Sequence, residues 1–359
     1  MDTNNNYCVI MAGGIGARFW PYSKNSRPKQ FLDFFGTGRS LIQLTFDRFR
    51  QVVPAENILI VSNRLYKDLI LEQLPELKPE QVLLEPMRRN TAPCIYYAVS
   101  RIKAKTEKAN IIVAPSDHLI MNEINFLDTI RQGLDFIENN DALLTLGIKP
   151  SRPETGYGYI QIADGDGSLR KVKTFTEKPN LELAKVFFES GEFFWNSGIF
   201  LWNLQAIDKA FHELLPDIAS RFDSGKGVYG TEKEDDFITE IYPSCENISI
   251  DYGVLEKASN VNVLCSDFGW SDLGTWGSLF DISPKDNGNN VTMRGIVEYY
   301  DAKDNVVAVP KDKLAVIQGL EDYIVAENND VLLICRKADE QKIRQFVNDV
   351  TVKFNGKFI

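Results

Sequence analysis

The sequence predicts an α/β protein built on a mainly parallel β-sheet with helices on both faces, followed by a small β-rich C-terminal part. Apolar, strand-sized runs alternate with helical stretches through the first 150 residues. Continuous apolar strands joined by crossover helices are typical of parallel sheets that are buried on both faces. After residue 286 the pattern changes to short strand-like pieces separated by Asn, Asp and Gly turns, which indicates a β-rich appendage.

The predicted elements of the first part alternate along the chain. The strand-like runs are Tyr7–Met11, Asn57–Ser62, Gln81–Glu85, Asn110–Ala114 and Ala142–Gly147, and the helical stretches lie near 40–53, 64–74, 90–106 and 123–139. Ser40 with Gln43 forms a capping box, and Asn90 is a good helix start. Ligands of parallel sheets bind at the carboxyl ends of the strands. We therefore expect the loops 12–30, 85–91 and 115–118 to share one face.

The rest of the chain divides near residue 286. Before it, "GYGYIQI" and "LRKVKTFTEKP" predict strands, and the stretches near 180–190 and 204–222 predict helices. After it, the pieces "NVVAV", "KLAVI", "DYIVA" and "DVLLICR" precede an amphipathic helix, Ala338–Val350. The predicted domains are 1–285 and 286–359. The second resembles a coil of β-helix, and it serves either as an oligomer surface or as a stabilising cap.

Composition excludes several classes of protein. The net charge of −10 argues against a protein that coats nucleic acid, although a local basic pocket remains possible. No apolar run approaches the length of a membrane span, and no secretory signal is apparent. The five cysteines form no CxxC pair, which predicts reduced thiols in the cytoplasm. With only two histidines, a histidine-rich metal site or a Ser-His-Asp triad has few candidates.

A glycine turn and a basic arm follow the first strand. Gly13, Gly14 and Gly16 allow backbone N–H groups to approach an anion, and Arg18 and Lys29 add cationic donors suited to a polyphosphate. The alternative is a tight turn with a solvated basic flank. Neither the dinucleotide-binding nor the P-loop glycine pattern is present, which argues against a nicotinamide-dependent oxidoreductase.

The whole stretch "GGIGARFWPYSKNSRPK" resembles the signature of the sugar-phosphate nucleotidyltransferases, also called nucleotide-sugar pyrophosphorylases. The resemblance continues, in the order expected for the family, in "EPMRRNTAP", "APSDH", "GYGYI", "FTEKP", "FWNSGIF", "SIDYGVLEKA" and "GWSDLGTW". It is close over the first predicted domain and looser over the tail. The elements "PKQF", "RNTAP" and "GWSDLGTW" favour the branch of the family that uses mannose and guanine over the glucose and thymidine branch.

The resemblance implies a Rossmann-like, GT-A-like nucleotidyltransferase fold with 1–285 as the catalytic domain and 286–359 as the C-terminal domain. It also implies a Mg²⁺-dependent enzyme that transfers GMP from GTP to mannose 1-phosphate by direct in-line attack on the α-phosphate. GTP and mannose 1-phosphate are the expected partners, and a homodimer is the expected assembly.

The resemblance assigns Arg18, Lys29 and Lys178 to the phosphates and Asp117 and Asp272 to the Mg²⁺. Carboxylates are ligands that Mg²⁺ prefers. From the residues alone, the two aspartates could instead cap helices near residues 122 and 273–281, and "FTEKP" could hold only a surface ion pair.

The resemblance also assigns residues to the two substrates. For the nucleotide these are Gly13, Gly14, Gly16, Glu85, Asn90 and Thr91, and for the sugar they are Gly158, Glu177, Asn196 and Asp251. Simpler structural alternatives exist: Asn90 as a helix cap, Asn196 as a turn residue and Gly158 as a strand bulge. The aromatic residues Phe193, Phe194 and Trp195 are expected in the core.

Two other functions compete with this interpretation, and a third is not expected. A pyrophosphorylase for another nucleotide and hexose 1-phosphate is the nearest rival, since a small change in a pocket alters such preferences. A non-catalytic nucleotide-sugar sensor is a second, although the retained Arg18, Lys29, Asp117, Lys178 and Asp272 argue against it. A bifunctional isomerase–guanylyltransferase is not expected at this length, and no histidine follows residue 286.

Overall fold

The computed structural model describes residues 5–359. Its strands are β1 Asn6–Met11, β2 Ile58–Asn63, β3 Val82–Glu85, β4 Asn110–Pro115, β5 Leu119–Ile120, β6 Leu143–Ile148, β7 Gly158–Ile162, β8 Leu169–Glu177, β9 Phe193–Asn203, β10 Val261–Ser266, β11 Trp270–Ser271, β12 Val291–Arg294, β13 Ile296–Tyr300, β14 Val306–Ala308, β15 Leu314–Gln318, β16 Tyr323–Asn328 and β17 Val331–Arg336. Its α-helices are α1 Leu41–Phe49, α2 Lys67–Gln73, α3 Thr91–Lys103, α4 Glu123–Glu138, α5 Leu181–Ser190, α6 Leu204–Leu214, α7 Pro216–Asp223, α8 Glu234–Ile241, α9 Trp276–Ile282 and α10 Ile343–Lys353.

The chain forms two compact units that do not coincide with the predicted domains. The first contains residues up to Gly13, Thr45–Ser116 and Ile120–Trp270, and the second contains Gly14–Leu44, Asp117–Leu119 and Ser271–Ile359. The glycine turn and the loop after β4 thus contribute residues to the unit that holds the C-terminal strands. The division into a catalytic domain 1–285 and a C-terminal domain 286–359 stays a prediction about function.

A nine-stranded sheet forms the first unit, with the order β3-β2-β1-β4-β9-β6-β10-β8-β7. Strands β3, β2, β1 and β4 are parallel, so their carboxyl ends lie at one edge. Val9 and Ile10 point to opposite faces and are both fully buried, which explains the continuous apolar pattern of β1. The predicted α/β class is confirmed.

The sheet is more mixed than the sequence predicts, because β9 lies antiparallel between β4 and β6. The register of β9 shifts against β6 between Thr145 and Gly147. Gly198, in the left-handed region at φ 70°, lies in the bulged part of β9. A bulge beside a functional site commonly re-aims a side chain, and here it lies next to Asn196.

The second unit contains the predicted β-rich part. Val291, Val306 and Ile324 stand in parallel register on β12, β14 and β16, and Ile296 pairs with Leu314 on the parallel strands β13 and β15. Successive turns of chain therefore stack on one another, as in a coil of β-helix. The predicted terminal helix is present as a 3-10 turn followed by α10.

Several elements differ from the prediction for local physical reasons. The stretch 204–222 forms two helices, because Pro216 cannot donate the backbone hydrogen bond that would continue α6. The stretch 64–74 begins as a 3-10 turn before α2. Strands β9 and β10 and helix α8 are additional elements outside the predicted set. Among residues 5–359, no helix is long and apolar enough to cross a membrane.

Candidate functional site

The ammonium group of Lys29 is the centre of the polar cluster in the second unit, which we call the Lys29 cluster (Arg18, Lys29, Asp117 and Asp272). The Lys29 side chain is only 3% exposed, and its Nζ lies 3.0 Å from Oδ2 of Asp117. The same Nζ donates to the backbone oxygen of Asp272 at 2.7 Å. Three segments that are remote in sequence therefore meet around one buried positive charge.

Gly16 makes room for that charge. Its backbone is left-handed, at φ 67°, and a Cβ atom at this position would overlap the Cβ of Lys29. The backbone oxygen of Ile15 accepts from the Lys29 amide and from the Ser23 hydroxyl. Gln30 donates to the Gly14 oxygen at 3.0 Å. The loop thus encloses Lys29 through its own hydrogen bonds, which supports the predicted need for glycine at position 16.

Arg18 adds a second positive charge. Its Nη1 donates to the Gly274 oxygen at 3.4 Å, whereas its Nε is buried with no hydrogen-bond partner among residues 5–359. Burial and then the charge of Arg18 lower the pKa of Arg344 on α10. Two guanidinium groups near each other, one with an unsatisfied buried donor, fit an anionic ligand.

Neither predicted aspartate caps a helix. Asn122 accepts from the Asn125 amide at the start of α4, and Thr275 accepts from the Ser278 amide at the start of α9. Asp272 instead accepts from the Gly274 amide at 2.8 Å. The capping alternatives for Asp117 and Asp272 are therefore wrong, because neighbouring residues occupy both cap positions.

Asp117 and Asp272 fit a hard divalent cation. Both offer carboxylate oxygens, the ligand type that Mg²⁺ prefers, and both segments contact the Lys29 ammonium. Burial raises the pKa of Asp117, but the charges of Lys29 and His118 outweigh it and hold the pKa below its usual value. Asp117 is therefore ionised, as a metal ligand must be.

In the first unit, Glu85 ends β3 at the sheet edge where the parallel strands terminate. Its side chain is 6% exposed and accepts a short hydrogen bond from the hydroxyl of Tyr242. A Cβ on Gly13 would come within 3.2 Å of the other carboxylate oxygen. We call Glu85, Tyr242 and Gly13 the Glu85 cluster.

Asn90 and Thr91 hold the start of α3. Asn90 adopts φ 66° and accepts from the Thr91 amide at 3.0 Å, so the predicted cap is present. The Thr91 hydroxyl accepts from the Ile250 amide at 2.9 Å. This bond ties the start of α3 to the residue before Asp251.

A second cluster of the first unit, the Asp251 cluster, consists of Gly158, Glu177, Lys178, Asn196 and Asp251. Asn196 donates to Asp251 Oδ1 at 2.9 Å, and its own amide oxygen accepts from the Thr145 hydroxyl at 2.9 Å. Burial and then the neighbouring Glu177 raise the pKa of Asp251 to about 7. Asn196 therefore orients Asp251, and Thr145 in turn holds Asn196.

Glu177 and Lys178 meet each other at the end of β8. Lys178 adopts φ 47°, which interrupts the extended backbone one residue before the turn expected at Pro179. As a result its Nζ reaches Oε1 of Glu177 in a short ion pair, although the Lys178 side chain is 57% exposed. A Cβ on Gly158 would overlap Glu177 Oε2, so glycine allows the Glu177 carboxylate to pack closely here.

Sequence reasoning misses several residues of these clusters. Thr145 is fully buried on β6, and a lone hydroxyl in the apolar run "LLTLGI" is the available signal. Glu256 Oε1 accepts from the Glu177 amide at 3.1 Å. Tyr242 and Arg344 carry no local signal, because their partners lie far away in sequence. Of the predicted core aromatics, Phe193 and Trp195 are buried and Phe194 is half-buried.

Comparison with known proteins identifies related chains. The family model described as "Nucleotidyl transferase" matches residues 7–289. A mannose-1-phosphate guanylyltransferase of Escherichia coli is 34% identical over 351 residues, which is 94% of this chain and 74% of that protein. The xanthan biosynthesis protein XanB of Xanthomonas campestris pv. campestris is 35% identical over 347 residues, which is 95% of this chain and 72% of that protein.

A solved structure is similar over nearly the whole chain. It is described as a mannose-1-phosphate geranyltransferase from Thermus thermophilus. It superposes with a TM-score of 0.86 at 29% identity, and the match covers 96% of this chain and 99% of that one.

Replacement of Gly16 by alanine tests the packing around Lys29. We expect Gly16→Ala to lower the free energy of unfolding by about 2 kcal/mol or more, because it adds left-handed strain and an overlap with Lys29. Gly14→Ala is the matched control, since a Cβ there meets nothing within 4 Å. Urea denaturation measures both variants. Equal stability of the two would contradict the proposed packing.

The raised pKa of Asp251 predicts a pH-dependent cost in stability. A carboxyl group with a pKa of about 7 in the folded protein, but of about 4 when unfolded, destabilises the fold as pH rises between those values. Asp251→Asn keeps the acceptor for Asn196 and removes the charge. Its midpoint of thermal unfolding, relative to the wild type, should therefore increase from pH 5 to pH 8.

The exposed Asp166 provides the control for this experiment. Asp166→Asn should differ from the wild type by the same small amount at each pH. A constant difference for Asp251→Asn as well would refute the electrostatic argument.

Proposed function

Because this chain belongs to the nucleotidyl transferase family, we propose that it transfers GMP from GTP to α-D-mannose 1-phosphate and releases pyrophosphate. The observation that carries this conclusion is the 34% identity, over 94% of this chain, to a curated mannose-1-phosphate guanylyltransferase. The protein is an enzyme, and its product is GDP-mannose.

The reaction is a direct phosphoryl-group displacement. An oxygen of the sugar phosphate attacks the α-phosphorus of GTP and forms a new P–O bond, while the bond between the α-phosphorus and the bridging oxygen breaks and pyrophosphate leaves with that electron pair. The attacking phosphate is already an anion, so no general base is needed. The difficulty is electrostatic, because two anions must approach and charge develops on the leaving group.

Arg18 and Lys29 act on the triphosphate in this proposal. The buried Lys29 ammonium supplies a fixed positive charge, and the unsatisfied Nε of Arg18 supplies a donor that a phosphate oxygen would satisfy. The turn Gly13, Gly14 and Gly16 lets the backbone approach the phosphates. These charges are already in place before substrate binds, which is the arrangement that lowers the barrier most effectively.

Asp117 and Asp272 are the residues that would hold Mg²⁺. When bound, the ion would neutralise part of the charge on the phosphates. Lys29 supports this role as well as phosphate binding, because its ammonium keeps Asp117 ionised and fixes the Asp272 backbone.

The two clusters of the first unit bind the remaining parts of the substrates. The exposed side chain of Lys178 is available to the sugar phosphate, whereas Glu177 and Asp251 are acceptors for sugar hydroxyls. Gly158 contributes to the sugar site through Glu177, whose carboxylate it allows to pack closely. Glu85, together with Asn90 and Thr91 at the start of α3, binds the guanine and ribose.

The homodimer and the cytoplasmic location expected from the sequence stay predictions. Four large apolar side chains on β13 and β15 are exposed and would suit an interface with a second copy: Ile296, Tyr300, Leu314 and Val316. All five cysteines are free thiols, four of them buried.

The reaction is tested by pyrophosphate release from the purified protein with Mg²⁺. GTP, ATP, UTP and dTTP are each combined with mannose 1-phosphate or glucose 1-phosphate. We expect release with GTP and mannose 1-phosphate to exceed every other pair. Preference for another pair would keep the phosphate and metal proposals and overturn the substrate assignment, while release with no pair would favour the sensor.

Removal of one metal ligand should change the Mg²⁺ requirement. We expect Asp117→Asn to raise the Mg²⁺ concentration for half-maximal activity by about tenfold or more, because an amide is a weaker ligand than a carboxylate. Asp312→Asn, at an exposed position of the same unit, is the control. A folded Asp117→Asn protein with the wild-type Mg²⁺ titration would refute metal binding at this residue.

A further inference from the structure

Among residues 5–359, the carboxyl group of Glu85 has one side-chain donor. Its Oε1 accepts from the Tyr242 hydroxyl, and both residues are buried, with Tyr242 fully so. Its Oε2 faces Gly13, which follows β1 and has no side chain. The orientation of the carboxyl group is therefore set by Tyr242 on one side and by backbone on the other.

Opposing effects of burial and of neighbouring groups set the pKa of Glu85. Burial raises the pKa of Glu85 to about 7, while the Tyr242 hydrogen bond and then the charge of Arg88 oppose that rise. Cys94 and Cys245 also lie near this pair, and burial raises the pKa of both thiols, so both stay neutral. Burial and then Glu85 raise the pKa of Tyr242 well above its usual value too. Tyr242 therefore remains a donor at every physiological pH.

The ionisation of a carboxyl group decides which base it can complement. An ionised carboxylate is an acceptor only, and it complements guanine, which presents N1–H and the 2-amino group side by side. A protonated carboxyl offers one donor and one acceptor. That pair complements adenine, which presents the N1 acceptor beside the 6-amino group.

We propose that Tyr242 is a specificity-determining positioning residue, whose hydroxyl keeps the Glu85 carboxylate ionised and aimed so that it accepts from guanine. The inference rests on the proposed function and deepens it. Tyr242 does not touch the nucleotide; it acts through Glu85, since its donor can pair with an acceptor oxygen and thereby favours the charged form.

Tyr242→Phe removes the donor and keeps the ring. With mannose 1-phosphate, kcat/KM is measured for GTP and for ATP between pH 6 and pH 9. In the wild type the value for GTP should fall below pH 7 as Glu85 is protonated. In Tyr242→Phe that inflection should move to higher pH. The ratio of kcat/KM for GTP to kcat/KM for ATP at pH 7 should fall roughly tenfold to a hundredfold. The change should lie mainly in KM for GTP.

Tyr97→Phe is the matched control. Tyr97 is also buried and also donates to a glutamate, Glu234, at 3.0 Å, but it belongs to neither substrate cluster. Its loss should lower stability and leave both the nucleotide ratio and the inflection unchanged. A folded Tyr242→Phe protein that behaves like Tyr97→Phe would overturn the inference.

Glu85→Gln provides a second route if Tyr242→Phe does not fold. Glutamine carries one donor and one acceptor at every pH, so the variant should lose the inflection and shift its preference towards ATP. If Glu85→Gln keeps the wild-type ratio of kcat/KM for GTP to kcat/KM for ATP, the inference is overturned. The proposed function still stands in that case, provided that the wild type is active with GTP. Absence of wild-type activity with every nucleotide would overturn both.

Discussion

A single buried ammonium group organises the functional part of the second unit. A charge that is almost fully removed from water is stable only when it is paired and hydrogen-bonded. Lys29 meets this condition through Asp117 and the Asp272 backbone, and Gly16 supplies the space. The glycine turn, the loop after β4 and the turn before α9 are therefore fixed by the same interaction. Lys29, which the sequence predicts to be a phosphate ligand, is therefore also the structural centre of its cluster.

The first unit uses buried carboxyl groups in a different way. Glu85 and Asp251 both have pKa values raised to about 7 by burial, and each is oriented by a neutral donor rather than by a full counter-charge. Tyr242 donates to one, and Asn196, itself held by Thr145, donates to the other. Groups with shifted pKa values are typical of substrate-binding sites. Because these hydrogen bonds compensate only part of the cost of burial, the carboxyl oxygens can still accept hydrogen bonds from the hydroxyls and N–H groups of a ligand.

The sheet explains how the first unit presents these groups. The parallel strands β1 and β3 end at one edge, which brings Gly13 beside Glu85. The antiparallel insertion of β9 places Asn196 opposite Gly147, and the bulge around Gly198 interrupts the regular alternation there. A regular strand would have continued to alternate, and the side chain that orients Asp251 would have a different direction.

The sequence by itself determined the α/β class, most strands of the first 150 residues, the β-rich tail and the family, because these depend on local periodicity and on contiguous motifs. It also identified Gly16, Lys29, Asp117, Glu85 and Asp251 as residues of interest. Only the tertiary structure decided that Asp117 and Asp272 are not helix caps, that Lys29 is their shared partner, and that Tyr242 and Thr145 orient the acidic groups. These decisions depend on contacts such as that between Tyr242 and Glu85, which are 157 residues apart. A hydrogen bond over that distance leaves no pattern in the local sequence, since the fold alone brings its two atoms together.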